Sequence, residues 1–230
     1  LLAVRRPGMR ARALVFDFDG LLLETEGPSL AAWDDVYRAH GHELPRDRWL
    51  DYVGREGGWF DALAHLGELV GEGFDRDTAS ARREALKDRL IAALELSPGV
   101  RERVQEAKAM GLRLGVASSA SSRWVCGHLE RLGFIGEFDA ITCRAPGMRA
   151  KPAPDLYLAS LTALGVGTGE AVAIEDSRNG VAAAKAAGLR CIAVPNEVTR
   201  LQDLTQADLR LASLADLPLD ALLARLGFPP

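Results

Sequence analysis

The chain has 230 residues, 48% of them hydrophobic and 26% charged, with a formal net charge of −4. These are the proportions of one large globular domain, or of a domain with a smaller insert, that can bury a sizeable core. The mild negative charge and scattered basic residues exclude a nucleic-acid groove and an anionic membrane surface, and no apolar run approaches the ~20 residues of a membrane span.

The three cysteines, Cys126, Cys143 and Cys191, are odd in number, far apart and without a CxxC pair. That pattern argues against a disulfide framework and a structural zinc site and predicts a reducing compartment, hence the cytoplasm. Of the four histidines, His40 and His42 flank a glycine, while His65 and His128 stand alone; surface or packing roles account for them. Nothing in the sequence speaks to oligomeric state.

Leu1-Leu2-Ala3-Val4 is too short for a signal peptide and has its charges after it, so residues 1–12 read as a tail with little structure. The apolar run Leu14-Val15-Phe16 predicts a buried parallel strand over 13–17. Asp17 and Asp19 stand where that strand runs out, and on a regular strand they would point the same way, a pairing of negative charges that asks for a cation. Gly20 then lets the chain turn. Taken alone, Asp-Gly after a strand is an ordinary turn.

From about residue 28 the spacing becomes helical, with helices predicted over 28–40, 46–53, 57–70 and 77–95 and no convincing strand among them. Trp33, Val36 and Tyr37 form one apolar stripe, and Ala85, Leu86, Leu90 and Leu94 another; both read as core. Gly57-Gly58-Trp59 reads as a flexible joint, with Arg55, Glu56 and Trp59 as candidates for reading a substrate. Ser97 then reads as an N-cap with Pro98 as the first residue of a helix over 98–110. Strands at 112–118, 138–143, 171–175, 190–194 and 209–212 alternate with helices at 122–132, 154–164, 178–187 and 216–226. Such alternation means a parallel α/β sheet with right-handed crossovers, interrupted after its first strand by an all-helical insert. Ligands of such sheets sit at the carboxyl ends of the strands.

Those ends carry chemistry. Ser118-Ser119-Ala120-Ser121 follows one strand, and its small residues, amides and hydroxyls suit an anion, although one serine would suffice as an N-cap. Lys151, beside Pro152, is a held cation in the loop after the next strand. Glu175-Asp176-Ser177 is a second acidic strand end, and two such ends around one pocket suggest Mg2+, a hard cation that takes carboxylates, waters and phosphate oxygens. The set fits one chemistry. Asp17 attacks phosphorus, Mg2+ relieves the repulsion between the two anions, and Lys151 and the Ser118 region neutralise the phosphoryl oxygens. Asp19 protonates the leaving oxygen and later activates water. Gly165-Val166-Gly167-Thr168-Gly169 looks like a dinucleotide fingerprint, but it follows a helix and precedes a strand, the reverse of what that site requires.

Asp17-Phe18-Asp19-Gly20, Ser118, Lys151 within Lys-Pro-Ala-Pro-Asp, and Glu175-Asp176-Ser177 stand in the order and spacing of four motifs. In these the chain resembles the haloacid dehalogenase-like superfamily over about residues 13–195, in particular the subgroup of β-phosphoglucomutases and sugar-phosphate phosphatases. The resemblance implies a Rossmann-like parallel-sheet core of residues 13–23 and 97–230 with an inserted all-α helical cap of residues 24–96. It implies that Asp17, Asp19 (through its backbone carbonyl) and Asp176 ligate Mg2+, with Glu175 acting through water. Ser118, Ser119 and Lys151 would bind phosphate. Leu22-Leu23-Glu24-Thr25-Glu26 resembles the segment entering the cap, with Glu24 where Asp is commoner.

The implied activity is Mg2+-dependent hydrolysis of a small phosphorylated metabolite, a sugar phosphate, through an aspartyl phosphate. A phosphomutase is the alternative; the similar mutases carry a histidine about where Ser29 stands, and no histidine falls in that first helical turn. A dehalogenase would lack the second aspartate. A non-enzymatic phosphate-binding protein on the same fold is the third reading, set against intact Asp17, Asp19, Lys151 and Asp176.

Overall fold

The computed structural model describes residues 10–52 and 60–229. Its centre is a six-stranded sheet in the order β3-β2-β1-β4-β5-β6. The strands are β1 (Ala13–Phe16), β2 (Arg113–Ser118), β3 (Ala140–Cys143), β4 (Ala171–Glu175), β5 (Arg190–Ala193) and β6 (Leu209–Arg210). Every pairing is parallel, as the alternation of strands and helices predicts.

All four residues of β1 are fully buried, which explains its unbroken apolar run. Leu14 and Phe16 face one core with α5 (Val100–Ala109), α6 (Ser122–Arg131) and α9 (Leu219–Arg225). Ala13 and Val15 face the other, with α7 (Asp155–Leu164) and α8 (Arg178–Ala186). Because β1 lies between β2 and β4, its register (Phe16 opposite Val116 and Ile174) brings three strand ends level. Connections leave to both sides at this point, the place where a ligand crevice opens.

Four helices are inserted between β1 and α5: α1 (Glu26–Ala39), α2 (Arg46–Tyr52), α3 (Ala62–Val70) and α4 (Arg76–Ala92). They have their own core of Val36, Tyr37, Leu44, Trp49, Phe60, Ala62, Leu66 and Ala79, joined from the sheet side by Val198. In the second apolar stripe the expectation needs correcting: Ala85 is exposed, Leu86 and Leu90 are half-buried, and the residues α4 buries are Ala79 and Ile91. The Gly57-Gly58 joint, Arg55, Glu56 and Trp59 lie outside the described residues.

Three boundaries differ for physical reasons. The helix expected from Pro98 begins at Val100, capped by Gly99 at φ +83°. A Cβ on Gly99 would collide with the backbone of Leu214 and Ala215, and Ser97 is used in a turn, donating to Leu22 O and accepting from Val100 N. The helix expected over 216–226 is a 3-10 turn at Leu214–Asp216 followed by α9, because Pro218 breaks the run. Arg12, expected in a loose tail, is tied to the sheet: its N donates to Glu170 O, its O accepts from Arg113 N, and its guanidinium pairs with Glu170. Among the described residues no helix is long and apolar enough to cross a membrane.

Candidate active site

Asp17 follows β1 directly, and its N still bonds Ile174 O, so the side chain leaves the sheet at the crevice and is 7% exposed. Strand geometry then ends. Leu21 N and Leu23 N both donate to Phe18 O, and Asp19 bridges to Leu23. Gly20 makes this possible at φ +79°, where a Cβ would strike the Asp176 carboxylate. The two aspartates consequently enter different surroundings.

Asp17 meets a cation. Lys151 Nζ lies 2.5 Å from Asp17 Oδ1 and 2.6 Å from Glu175 Oε1, with its side chain only 4% exposed. Tyr157, on the first turns of α7, donates to the same Glu175 oxygen at 2.5 Å. Burial pulls the Lys151 ammonium down, but Asp17 and Glu175 outweigh it and hold the pKa above its ordinary value. Lys151 is therefore a fixed positive charge at any physiological pH.

Asp19 meets neutral donors. Its Oδ1 accepts from Thr25 Oγ1 and Trp124 Nε1, each at 2.9 Å. Burial, reinforced by the neighbouring Asp17 charge and opposed by the Trp124 bond, pushes its carboxyl up to about 6. One strand end thus presents a carboxylate paired with lysine and a second carboxyl able to carry a proton near neutrality. Glu26, in the first turn of α1, faces the same charges and is pushed up to about 8 by burial, then by Asp19, Glu24 and Asp17.

Asp17, Glu175 and Asp176 each offer an oxygen within 4.8 Å of the others, all three residues buried. Their donor set fits Mg2+. Lys151 gives this cluster one positive charge against three carboxylates, and Glu175 Oε2 is buried without a protein partner. Burial, then the charges of Asp17 and Glu175, hold Asp176 well above the usual carboxylate range, a cost that a divalent cation would offset. These shifts carry a sign. A carboxyl that binds its proton more tightly when folded contributes stability at low pH and loses it as pH rises, here through about 6 for Asp19 and about 8 for Glu26. Metal-free protein is accordingly expected to melt at lower temperature at pH 8 than at pH 5. Mg2+ at a hundredfold excess over Kd should restore about 2.7 kcal/mol at pH 8, roughly 5–10 °C for a chain of this length. A melting temperature indifferent to chelator and Mg2+ would overturn the metal assignment.

Ser118 ends β2 level with the cluster, 1% exposed, its Oγ accepting from Ala120 N. Ser119 Oγ accepts from Lys151 N at 3.2 Å, so it anchors the lysine loop to the serine loop. Ser177, not Asp176, caps α8, accepting from Gly180 N, which leaves the Asp176 carboxylate to the crevice. The structure therefore brings together Asp17, Asp19, Ser118, Ser119, Lys151, Glu175 and Asp176.

It also adds residues that sequence reasoning passed over. Asn196, after β5, donates to Asp176 Oδ2 (2.9 Å) and Gly20 O (3.2 Å). The strand-end rule could have found it had it been carried one strand further. Tyr157 and Trp124 carry no such signal, since helical periodicity reads both as packing residues.

Residues 14–194 match the family profile of haloacid dehalogenase-like hydrolases. The chain is 36% identical to the protein YhcW of Bacillus subtilis over 216 residues, covering 94% of this chain and 98% of that one. It is 33% identical to hexitol phosphatase B of Escherichia coli over 221 residues, covering 92% and 96%. The crystal structure of CbbY from Rhodobacter sphaeroides in complex with phosphate superposes with a TM-score of 0.69 at 31% identity, covering 90% of this chain and 96% of that one. A mutant of that CbbY has been crystallised with xylulose-(1,5)bisphosphate.

Proposed function

From membership of the haloacid dehalogenase-like hydrolase family, to which this chain belongs, we propose that it is a Mg2+-dependent phosphatase that hydrolyses a small sugar phosphate through an aspartyl phosphate. The observation that carries this reading is the division of labour at one strand end: Asp17 paired with Lys151, and Asp19 held by neutral donors with a raised pKa. A nucleophile needs the first environment and a general acid the second. The sugar-phosphate class is supported by relatives such as hexitol phosphatase B and the phosphorylated carbohydrates phosphatase of Thermotoga maritima.

In the first step an Asp17 oxygen forms a bond to phosphorus while the bond from phosphorus to the sugar oxygen breaks. The departing oxygen keeps the electron pair and takes the proton of Asp19. In the second step Asp19, now a carboxylate, takes a proton from water; the water oxygen bonds to phosphorus, the bond from phosphorus to the Asp17 oxygen breaks with its electron pair returning to the Asp17 carboxylate, and inorganic phosphate leaves. Lys151 and Ser118 neutralise the phosphoryl oxygens throughout. Asp17, Asp176 and the backbone carbonyl of Asp19 would hold Mg2+, with Glu175 acting through water. When bound, that ion supplies positive charge between the carboxylates and the phosphoryl group. The helical insert, residues 24–96, acts as a cap over residues 13–23 and 97–230 and reads the sugar; Glu26 faces the site from its first turn. The described cysteines are free thiols, in keeping with the cytoplasm.

A panel of phosphorylated metabolites scored for phosphate release with Mg2+ tests the activity. Release from several sugar phosphates is the expected result. Conversion of β-glucose 1-phosphate, with a bisphosphate primer, to glucose 6-phosphate without free phosphate would replace the phosphatase with a mutase.

A further inference from the structure

Proton transfer to a leaving oxygen depends on where the acid's second oxygen points, and that is decided by what grips the first. Asp19 Oδ1 is gripped twice at 2.9 Å: by Thr25 Oγ1 at the entrance to the helical insert and by Trp124 Nε1 on α6 of the sheet domain. Neither donor uses Oδ2. With both hydrogen bonds on one oxygen, rotation of the carboxyl group would cost two bonds at once.

Trp124 is itself held. Its ring stands edge-on to His128 one turn along α6, with centroids 4.4 Å apart, and His128 in turn stacks on Phe18, the residue between the two aspartates. From the insert, Lys87 of α4 places Nζ 5.4 Å from the centre of the same ring, its half-buried side chain paired with Glu84 at 2.5 Å. The indole is thus fixed by the sheet domain on one side and by the last helix of the insert on the other. Packing alone would be served by any large apolar side chain; the N–H aimed at Asp19 would not be needed.

We propose that Trp124 is a positioning residue for the proton transfer, its indole N–H fixing Oδ1 of Asp19 so that Oδ2 carries the proton to the leaving oxygen. The inference rests on the phosphatase reading. In the step concerned, the bond from Asp17 to phosphorus forms, the bond from phosphorus to the leaving oxygen breaks, and the Asp19 proton moves to that oxygen. Trp124 exchanges no atom. Loss of its N–H should therefore matter in proportion to how badly the leaving group needs a proton.

The test compares kcat/KM, which ends at phosphoryl transfer to the enzyme, over a series of aryl phosphates of graded leaving-group acidity and one alkyl phosphate. Trp124→Phe and Trp124→Met both remove the N–H but pack differently, so either folded variant carries the test. The expected result is a loss of about 10- to 100-fold on the alkyl phosphate, part of the about 10²–10⁴-fold a positioned proton donor supplies, with little change on the most acidic aryl phosphate. A loss equal across the series, or none, would overturn the proposal. If the unaltered protein releases phosphate from no member of the series, the phosphatase reading itself falls, and that result is visible before any variant is made.

Discussion

Asp17→Asn is expected to lower Mg2+-dependent phosphate release by at least about 10⁴-fold, the scale on which a covalent nucleophile or its partners are lost. Asparagine keeps the shape of the side chain and an oxygen that can accept from Lys151, so the geometry of Lys151, Glu175 and Tyr157 survives. What is removed is the anionic oxygen that bonds to phosphorus. Water could in principle attack a phosphate bound by Ser118 and Lys151, but with Asp19 placed as an acid, no described base is assigned to that job in the first step. Rapid acid quenching of the unaltered enzyme with labelled substrate should trap an aspartyl phosphate, and the variant should trap none. Activity retained by Asp17→Asn would remove the nucleophile assignment.

Lys151→Met should be the most destabilising substitution in the site as well as a strongly inactivating one. The ammonium is buried between Asp17 and Glu175. Removing one member of a buried ion pair costs about 3–5 kcal/mol because the partners stay charged in a poor solvent, and for a chain of this size that is roughly a 10 °C fall in melting temperature. The cost has a sign with pH. Burial, despite Lys151, already pushes Glu175 up to about 7, and loss of the lysine raises it further. At low pH Glu175 holds a proton and the variant regains stability; as pH rises Glu175 loses that proton with no lysine beside it and the deficit grows. The same substitution should cost about 10²–10³-fold in kcat, as for a removed oxyanion donor. Melting temperatures of both proteins from pH 5 to pH 8, with chelator present, check the first effect. Equal melting curves would show that the cluster is balanced by something other than Lys151. Lys151→Arg should not rescue fully, because a planar fork does not fit the place of a point charge held by oxygens from two strands.

Much of the molecule was legible in the sequence because the physics is local. A strand buried on both faces must be apolar throughout, as β1 is, and glycine must follow where the chain turns at positive φ, as at Gly20. Acidic pairs at strand ends have no packing role, which is why Asp17, Asp19, Glu175 and Asp176 stood out and why the structure gathers Asp17, Glu175 and Asp176 into one buried cluster. The misplaced start of α5 shows the limit. Ser97-Pro98 is a sound local signal, overruled because Gly99 must pass close to Leu214 and Ala215, residues more than a hundred positions away in the chain.

The sequence by itself determined the alternation of strands and helices, the helical insert and the kinds of side chain at each strand end, since these follow from periodicity and from what a buried strand tolerates. Only the tertiary structure decided how those side chains divide their work. That Asp17 pairs with Lys151 while Asp19 lies between Thr25 and Trp124, that Tyr157 braces Glu175, and that Asn196 ties Asp176 to Gly20 depend on contacts between distant segments. Such contacts leave no period and no local motif, because the energy of a hydrogen bond or ion pair depends on distance in space and burial, not on separation along the chain.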